Sequence, residues 1–274
     1  MALRLSRRAA LWLLAALAGR LRAATPLRIA LSPFLSPTAL LQAHRPLREH
    51  LERRLQRPVE MVTAKDFRAL LEATRRHEHD AVMLPAHLAR LAMLDWGYTQ
   101  LAGTVQTLDV LVLVKDDGPV HSPADLRGRR VGMLDALSLT ATVGRQWLAA
   151  QDLVDRVTMV DQPSINSALY ALERGEVAMI VAGRTQLNNL PAATPRRERV
   201  LAAVRDIPGP VYVARPGLPA ADLAALRAAM LSFEPDTGLQ PSAANSAPRL
   251  LDAAALAALD PYVEIARRAL GELR

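Results

Sequence analysis

Three hydroxyl residues crowd one short stretch of this 274-residue chain: Ser138, Thr140 and Thr142, within Asp135-Ala136-Leu137-Ser138-Leu139-Thr140-Ala141-Thr142. A serine directly before an apolar-periodic run marks a helix start. The first N–H groups of a helix lack internal acceptors and carry the positive end of its dipole, so an anion fits there. Ser138 reads equally as an N-cap, with Thr140 and Thr142 as ordinary helix residues, and one side chain can do both. Arg184 would give an anion a charge-assisted contact, or stand solvated on a loop. His87 could donate across a cleft or fill a helix start. Phe34 could flank a ligand or pack on the surface. Asn166, beside Ser164, reads first as a first-turn residue and then as a ligand contact. His77-Glu78-His79-Asp80 invites a metal reading, but residues at i and i+2 do not share a helix face. No H-E-x-x-H, P-loop, G-x-G-x-x-G or G-x-S-x-G pattern occurs in the chain, so neither a metal site nor a catalytic set is assigned and no cofactor is expected.

Elements that alternate between strand and helix must position these residues. Short apolar runs predict strands at 27–31, 59–62, 81–84, 101–105, 110–114, 130–134, 157–160, 177–181, 200–204 and 211–214. Amphipathic spacing predicts helices at 67–76, 87–95, 139–150, 164–174 and 222–231, and a first helix carrying Leu47, Leu51 and Leu55 with Pro46 in its first turn. Two short helices close the chain. The alternation gives an α/β architecture. Phe67-x-x-Leu70-Leu71-x-Ala73 leading to residues 80–84 matches Ile165-x-x-Ala168-Leu169-x-Ala171 leading to 177–181, which suggests two comparable lobes. Ligands in open α/β sheets sit beyond the carboxyl ends of strands. That places Ser32 and Phe34, Pro85 and His87, the 135–142 loop, and Arg184 around one cleft. Chain crossings between the lobes are expected near 107–110 and 205–208.

Residues 1–24 have the proportions of a secretory signal. Arg4, Arg7 and Arg8 precede the apolar run 9–18, which is shorter than the roughly 20 residues needed to span a membrane. The chain has 34 Lys+Arg and 27 Asp+Glu, a formal +7, and the first 24 residues hold five arginines and no acid. The remainder is close to neutral, at +2, and its paired arginines lack interleaved aromatics, so no nucleic-acid partner is expected. The chain has no cysteine, which excludes disulfides, thiol catalysis and Cys-ligated metals.

Four stretches in order resemble the periplasmic phosphate-, phosphite- and phosphonate-binding proteins, a branch of the type II solute-binding proteins of ABC transporters. They are Pro46-Leu47-x-x-His50-Leu51-x-x-x-Leu55-x-x-Pro58-Val59-Glu60, residues 79–87, residues 122–131, and Ser167-Ala168-Leu169-x-Ala171-Leu172-x-x-Gly175-Glu176-Val177-Ala178. The resemblance, over about residues 27–229, implies a two-lobed type II periplasmic-binding-protein fold with the ligand cleft between the lobes. It implies the divisions 1–24 (signal), 25–108 (first part of lobe 1), 109–206 (lobe 2) and 207–274 (return to lobe 1 and C-terminal helices). It further implies a monomer in the periplasm that binds a small anion, serves a membrane permease and performs no catalysis. The alternatives are a sensing module for a membrane receptor, or an enzyme on the same fold. The chain departs from the family pattern at the cleft. Residues 135–142 lack glycine, Asn166 stands where a His is usual, and Gly183-Arg184 where an Asp is usual.

Overall fold

The computed structural model describes residues 25–34, 36–188, 190, 197–236 and 246–272. Residues 1–24, where a signal is expected, part of the Pro-rich stretch after Arg184 (189 and 191–196) and residues 237–245 lie outside these residues. Two sheets organise the chain. The first has the order β11-β4-β10-β3-β1-β2 and the second β7-β6-β8-β5-β9. The first is built from β1 (Leu27–Leu31), β2 (Val59–Thr63), β3 (Ala81–Leu84), β4 (Thr99–Thr104), β10 (Val211–Ala214) and β11 (Pro248–Arg249). The second contains β5 (Thr107–Lys115), β6 (Arg130–Met133), β7 (Thr158–Asp161), β8 (Met179–Gly183) and β9 (Glu198–Pro208). In each, three parallel strands meet antiparallel ones: β1 runs with β2 and β3, and β6 with β7 and β8.

Strand periodicity explains the layers. Successive side chains point to opposite faces, and β5 divides accordingly. Val110, Val112 and Val114 enter one core cluster, and Leu111 and Leu113 enter another. Helix α4 (Leu139–Ala150) covers the first of these faces through Val143 and Leu148. Helix α5 (Ile165–Glu173) covers the second through Leu169 and Leu172. On the other sheet, α1 (Pro37–Leu55) and α7 (Ala220–Leu231) pack on Leu27, Ile29 and Leu31. The opposite face is covered by α2 (Phe67–Arg75), α3 (Ala86–Asp95) and the C-terminal α9 (Asp260–Glu272). Two five-residue helices are also present, α6 (Arg184–Asn188) and α8 (Ala253–Ala257).

The matched sequence units prove to be one structural device used twice. α2 leads to β3 through His77 at φ 56°, and α5 leads to β8 through Gly175 at φ 71°. Both turns carry the same ion pair, Arg76 to Glu78 at 2.6 Å and Arg174 to Glu176 at 2.7 Å. In both, a backbone N–H beyond the turn then joins the neighbouring strand: Asp80 donates to the Arg28 carbonyl and Ala178 to the Arg130 carbonyl.

The first helix corrects the sequence reading. It starts at Pro37 behind the cap Ser36, so Pro46 lies in its interior. Ser-Pro supplies both an N-cap and a favoured first position, and the half-exposed Pro46 costs the Gln42 carbonyl its helical donor.

The chain passes between the sheets at residues 105–106 and 209–210, and the stretches expected to cross lie just inside the second sheet. Thr107 pairs with Pro208 and Leu108 with Ile207, extending β5 and β9 to the boundary. The crossings touch: the Thr104 N–H donates to the Pro210 carbonyl at 3.3 Å. A Cβ on Gly209 would stand 2.5 Å from the Gln106 carbonyl oxygen, so only glycine allows the approach.

Candidate functional site

The loop before α4 is built by Asp135. Its Oδ1 accepts from the Leu137 N–H at 2.8 Å, and its carbonyl accepts from the Ser138 N–H at 2.9 Å. The turn drives Leu137 into the core of the other sheet's helical layer, where it is 1% exposed beside Ala86, Leu88 and Val263. Ser138 then caps α4, its Oγ accepting from the Ala141 N–H at 3.2 Å. Thr142 is fully buried, and its hydroxyl donates to the Ser138 carbonyl at 2.9 Å.

Facing this helix start is α3, from the opposite lobe. Pro85 occupies its N-cap position without a side-chain cap bond. His87 follows in the first turn, fully buried, with Nε2 3.4 Å from Thr142 Oγ1. The first turns of α3 and α4 therefore meet through this side-chain contact. Nδ1 of His87 is buried without a hydrogen bond of normal geometry. Desolvation pushes the imidazole down to about 3, with the Leu137 backbone acting in the opposite direction. The ring is neutral at physiological pH, because burial disfavours its charged form.

Thr140, 8% exposed, joins a second group. Its hydroxyl lies 3.5 Å from Gln186 Oε1, which also accepts from the Gly183 N–H at 3.0 Å. Next to them Arg184 Nε donates to Asp109 Oδ2 at 3.0 Å. The arginine is thus already paired, and the sequence reading missed both Asp109 and Gln186. Asp109 had a signal of a kind, an acid opening the apolar run 110–114. Gln186 had none.

The remaining candidates sit differently. Ser32 is buried and donates to the Met83 carbonyl at 2.8 Å, tying the ends of β1 and β3 together. Phe34 is 44% exposed beyond it. Asn166 is exposed on the first turn of α5. Among the described residues, no hydrogen bond joins the side chains of Ser32, Phe34 or Asn166 to His87, the α4 start or Arg184. The His77–Asp80 cluster is a structural turn. His77 Nδ1 meets the Tyr98 hydroxyl at 3.4 Å, and Asp80 accepts from Arg215 at 3.2 Å. The described residues contain no group of three or more metal-binding side chains.

The arrangement collects donors: two helix N-termini, hydroxyls, a neutral imidazole and one guanidinium. The sequence matches the family model described as ABC transporter, phosphonate, periplasmic substrate-binding protein, over residues 29–265. The chain belongs to that family.

Solved phosphonate-family and related folds agree in architecture. XAC2383 of Xanthomonas citri, solved bound to ATP, superposes with a TM-score of 0.74 at 17% identity, over 92% of this chain and 100% of that one. PhnD1 of Prochlorococcus marinus, solved with methylphosphonate, gives 0.70 at 11% identity over 88% and 97%. The PA3383 phosphonate-transporter binding protein of Pseudomonas aeruginosa gives 0.68 at 17% over 89% and 87%. At these identities the likeness concerns the fold, the two-lobed type II periplasmic-binding-protein architecture. No curated protein sequence matches the chain. Membership makes the chain the periplasmic substrate-binding component of an ABC phosphonate transporter, a family of binding proteins whose partners are small ligands and membrane permeases. Among the described residues no helix is long and apolar enough to cross a membrane.

Proposed function

We propose that this phosphonate-family protein holds a small tetrahedral oxyanion between the N-termini of α3 and α4, and hands it to its permease when the lobes part. The observation that carries the reading is the contact between the first turns of those two helices at His87 and Thr142, 3.4 Å apart. Each helix end favours a negative charge by about 0.3–1 kcal/mol, and two that meet from opposite lobes favour an anion bridging them. The first-turn N–H groups of α4 and the Thr140 hydroxyl supply donors on one side, and His87 and the first turn of α3 on the other. Arg184, balanced by Asp109, flanks the site and adds direction with little net charge. PhnD1 was solved with methylphosphonate and XAC2383 with ATP, so the phosphoryl group is the chemistry to test first.

Two crossings that touch at Gly209 suit rotation about a hinge. The lobes, residues 25–105 with 210–274 and residues 106–209, are the moving bodies of this reading. The protein acts as a monomer, exported by the segment 1–24 and beginning near Thr25 after processing.

A thermal-shift and calorimetric panel on the mature protein tests the reading. It should contain methylphosphonate, phosphite, phosphate, ethanesulfonate and ATP. A ligand at 100 times its Kd stabilises the folded state by about 2.7 kcal/mol. Methylphosphonate or phosphite should raise the midpoint, and small-angle scattering should show a lower radius of gyration with the ligand bound. A panel in which no phosphoryl compound shifts the midpoint would remove the phosphonate reading.

A further inference from the structure

Away from the cleft loops, α4 and α9 leave a groove of about 360 Å³ between them, within the size range of small-molecule sites, about 300–1,000 Å³. Its floor is apolar, with Val154, Met159 and Ile265 facing it. Arg145 from α4 and Arg268 from α9 line its walls.

These two arginines differ from their neighbours. Arg90 and Arg267, which anchor α9 to α3, reach Asp260 at 2.8 Å and Asp95 at 2.5 Å. Arg145 instead directs Nη1 at the Met159 sulfur, 3.1 Å away, and its Nε is buried with no acceptor. A thioether is a weak acceptor, and a guanidinium carries five donors. Arg268 is exposed and makes no ion pair among the described residues. Glu264, the acid on the rim, is engaged by Arg267. Two guanidiniums without carboxylates therefore stand over an apolar floor, and one of them has already lost its water at Nε.

We infer that this groove, which lies between one helix of each lobe but away from the cleft at His87 and Thr142, is a second binding site for a small amphipathic anion: a phosphate, sulfonate or carboxylate head carrying a short apolar chain. The head supplies the acceptors that Arg145 and Arg268 lack, in the fork geometry guanidinium favours. The chain covers Val154, Met159 and Ile265. A bare inorganic anion leaves that floor wet, and a neutral alcohol leaves the guanidiniums unmatched.

Calorimetric titration with hexyl phosphate, hexanesulfonate and hexanoate tests this, with hexan-1-ol as the neutral control. The three anions should bind wild type at least about tenfold more tightly than the alcohol, since one charge-assisted contact corresponds to about a factor of ten or more. Arg145→Gln with Arg268→Gln should weaken the anions about a hundredfold. Arg145→Lys with Arg268→Lys should lose less, because charge is retained. Methylphosphonate, which has no chain, reports on the cleft and should bind all three proteins alike, so failure in the groove is separable from failure in the cleft. Undetectable anion binding at millimolar concentration overturns the inference. Equal affinity in wild type and the Gln pair overturns it too, as do equal losses in the Lys and Gln pairs with a lowered midpoint.

Discussion

Protonating His87 should cost the protein stability over a defined pH window. The ring is fully buried, and its pKa is depressed to about 3 from an ordinary 6.5 by desolvation, with no charged neighbour contributing. The unfolded chain therefore takes up this proton at a pH where the folded chain does not. Stability from this group is complete above about pH 6.5 and is lost progressively as the pH falls toward 3. Between pH 7.5 and 5.5 the unfolded ring goes from about one-tenth to about nine-tenths protonated, while the folded ring stays neutral. The linkage relation then gives a loss of about 1.4 kcal/mol, a value insensitive to the folded pKa so long as it lies well below 5.5. Urea unfolding of wild type and His87→Gln at both pH values reads it. His44 and His79, whose pKa values are also lowered by burial, are common to both proteins and cancel in the difference. Wild type should lose about 1.4 kcal/mol more than His87→Gln. The same pH dependence in both proteins would refute the reasoning, because it would mean that the ring is hydrated or already charged in the native state.

Gly209→Ala should lower stability by about 1–3 kcal/mol, as overpacking does, because its Cβ meets the Gln106 carbonyl at 2.5 Å; an unchanged urea midpoint would show that the crossings are not in contact. Gly144→Ala should cost a similar amount, since its Cβ would stand 2.7 Å from Val181 Cγ2 under α4, and thermal unfolding measures it. Ser138→Ala should cost about 1 kcal/mol through loss of the cap on the Ala141 N–H, again by urea midpoint. Calorimetry with methylphosphonate should find binding about tenfold weaker in Arg184→Ala and tighter in Asp109→Asn, which frees the guanidinium; no change in either would move Arg184 out of the site.

Much of the fold was legible because it is written in local periodicity. Helix α4 was expected over 139–150 and is found at Leu139–Ala150, and the strand expected over 81–84 is Ala81–Leu84. In both, apolar spacing and a boundary residue agree, Ser138 in one and Pro85 in the other. Where punctuation conflicts, the reading slipped. Pro46 reads as a start because proline favours first turns, but Leu40 already lies on the buried face of Leu47 and Leu51, and Ser36-Pro37 is the cap that precedes it. Strand β5 was expected over 110–114 and runs over Thr107–Lys115. Its polar ends are held by pairing with β9, which no local pattern encodes.

The candidate site divides along the same line. The sequence by itself determined the α/β alternation, the duplicated helix-turn-strand device, the cap at Ser138 and the donor-rich loops, since each depends on residues within a few positions of one another. Tertiary structure decided that His87 meets Thr142 across 55 positions, that Arg184 is balanced by Asp109 across 75, and that Leu137 fills the opposite lobe. It also decided that the His87 ring is dry and neutral. Desolvation and pairing arise only when segments remote in the chain are packed together, so the chemistry of the cleft belongs to the fold even where every residue in it could be named beforehand.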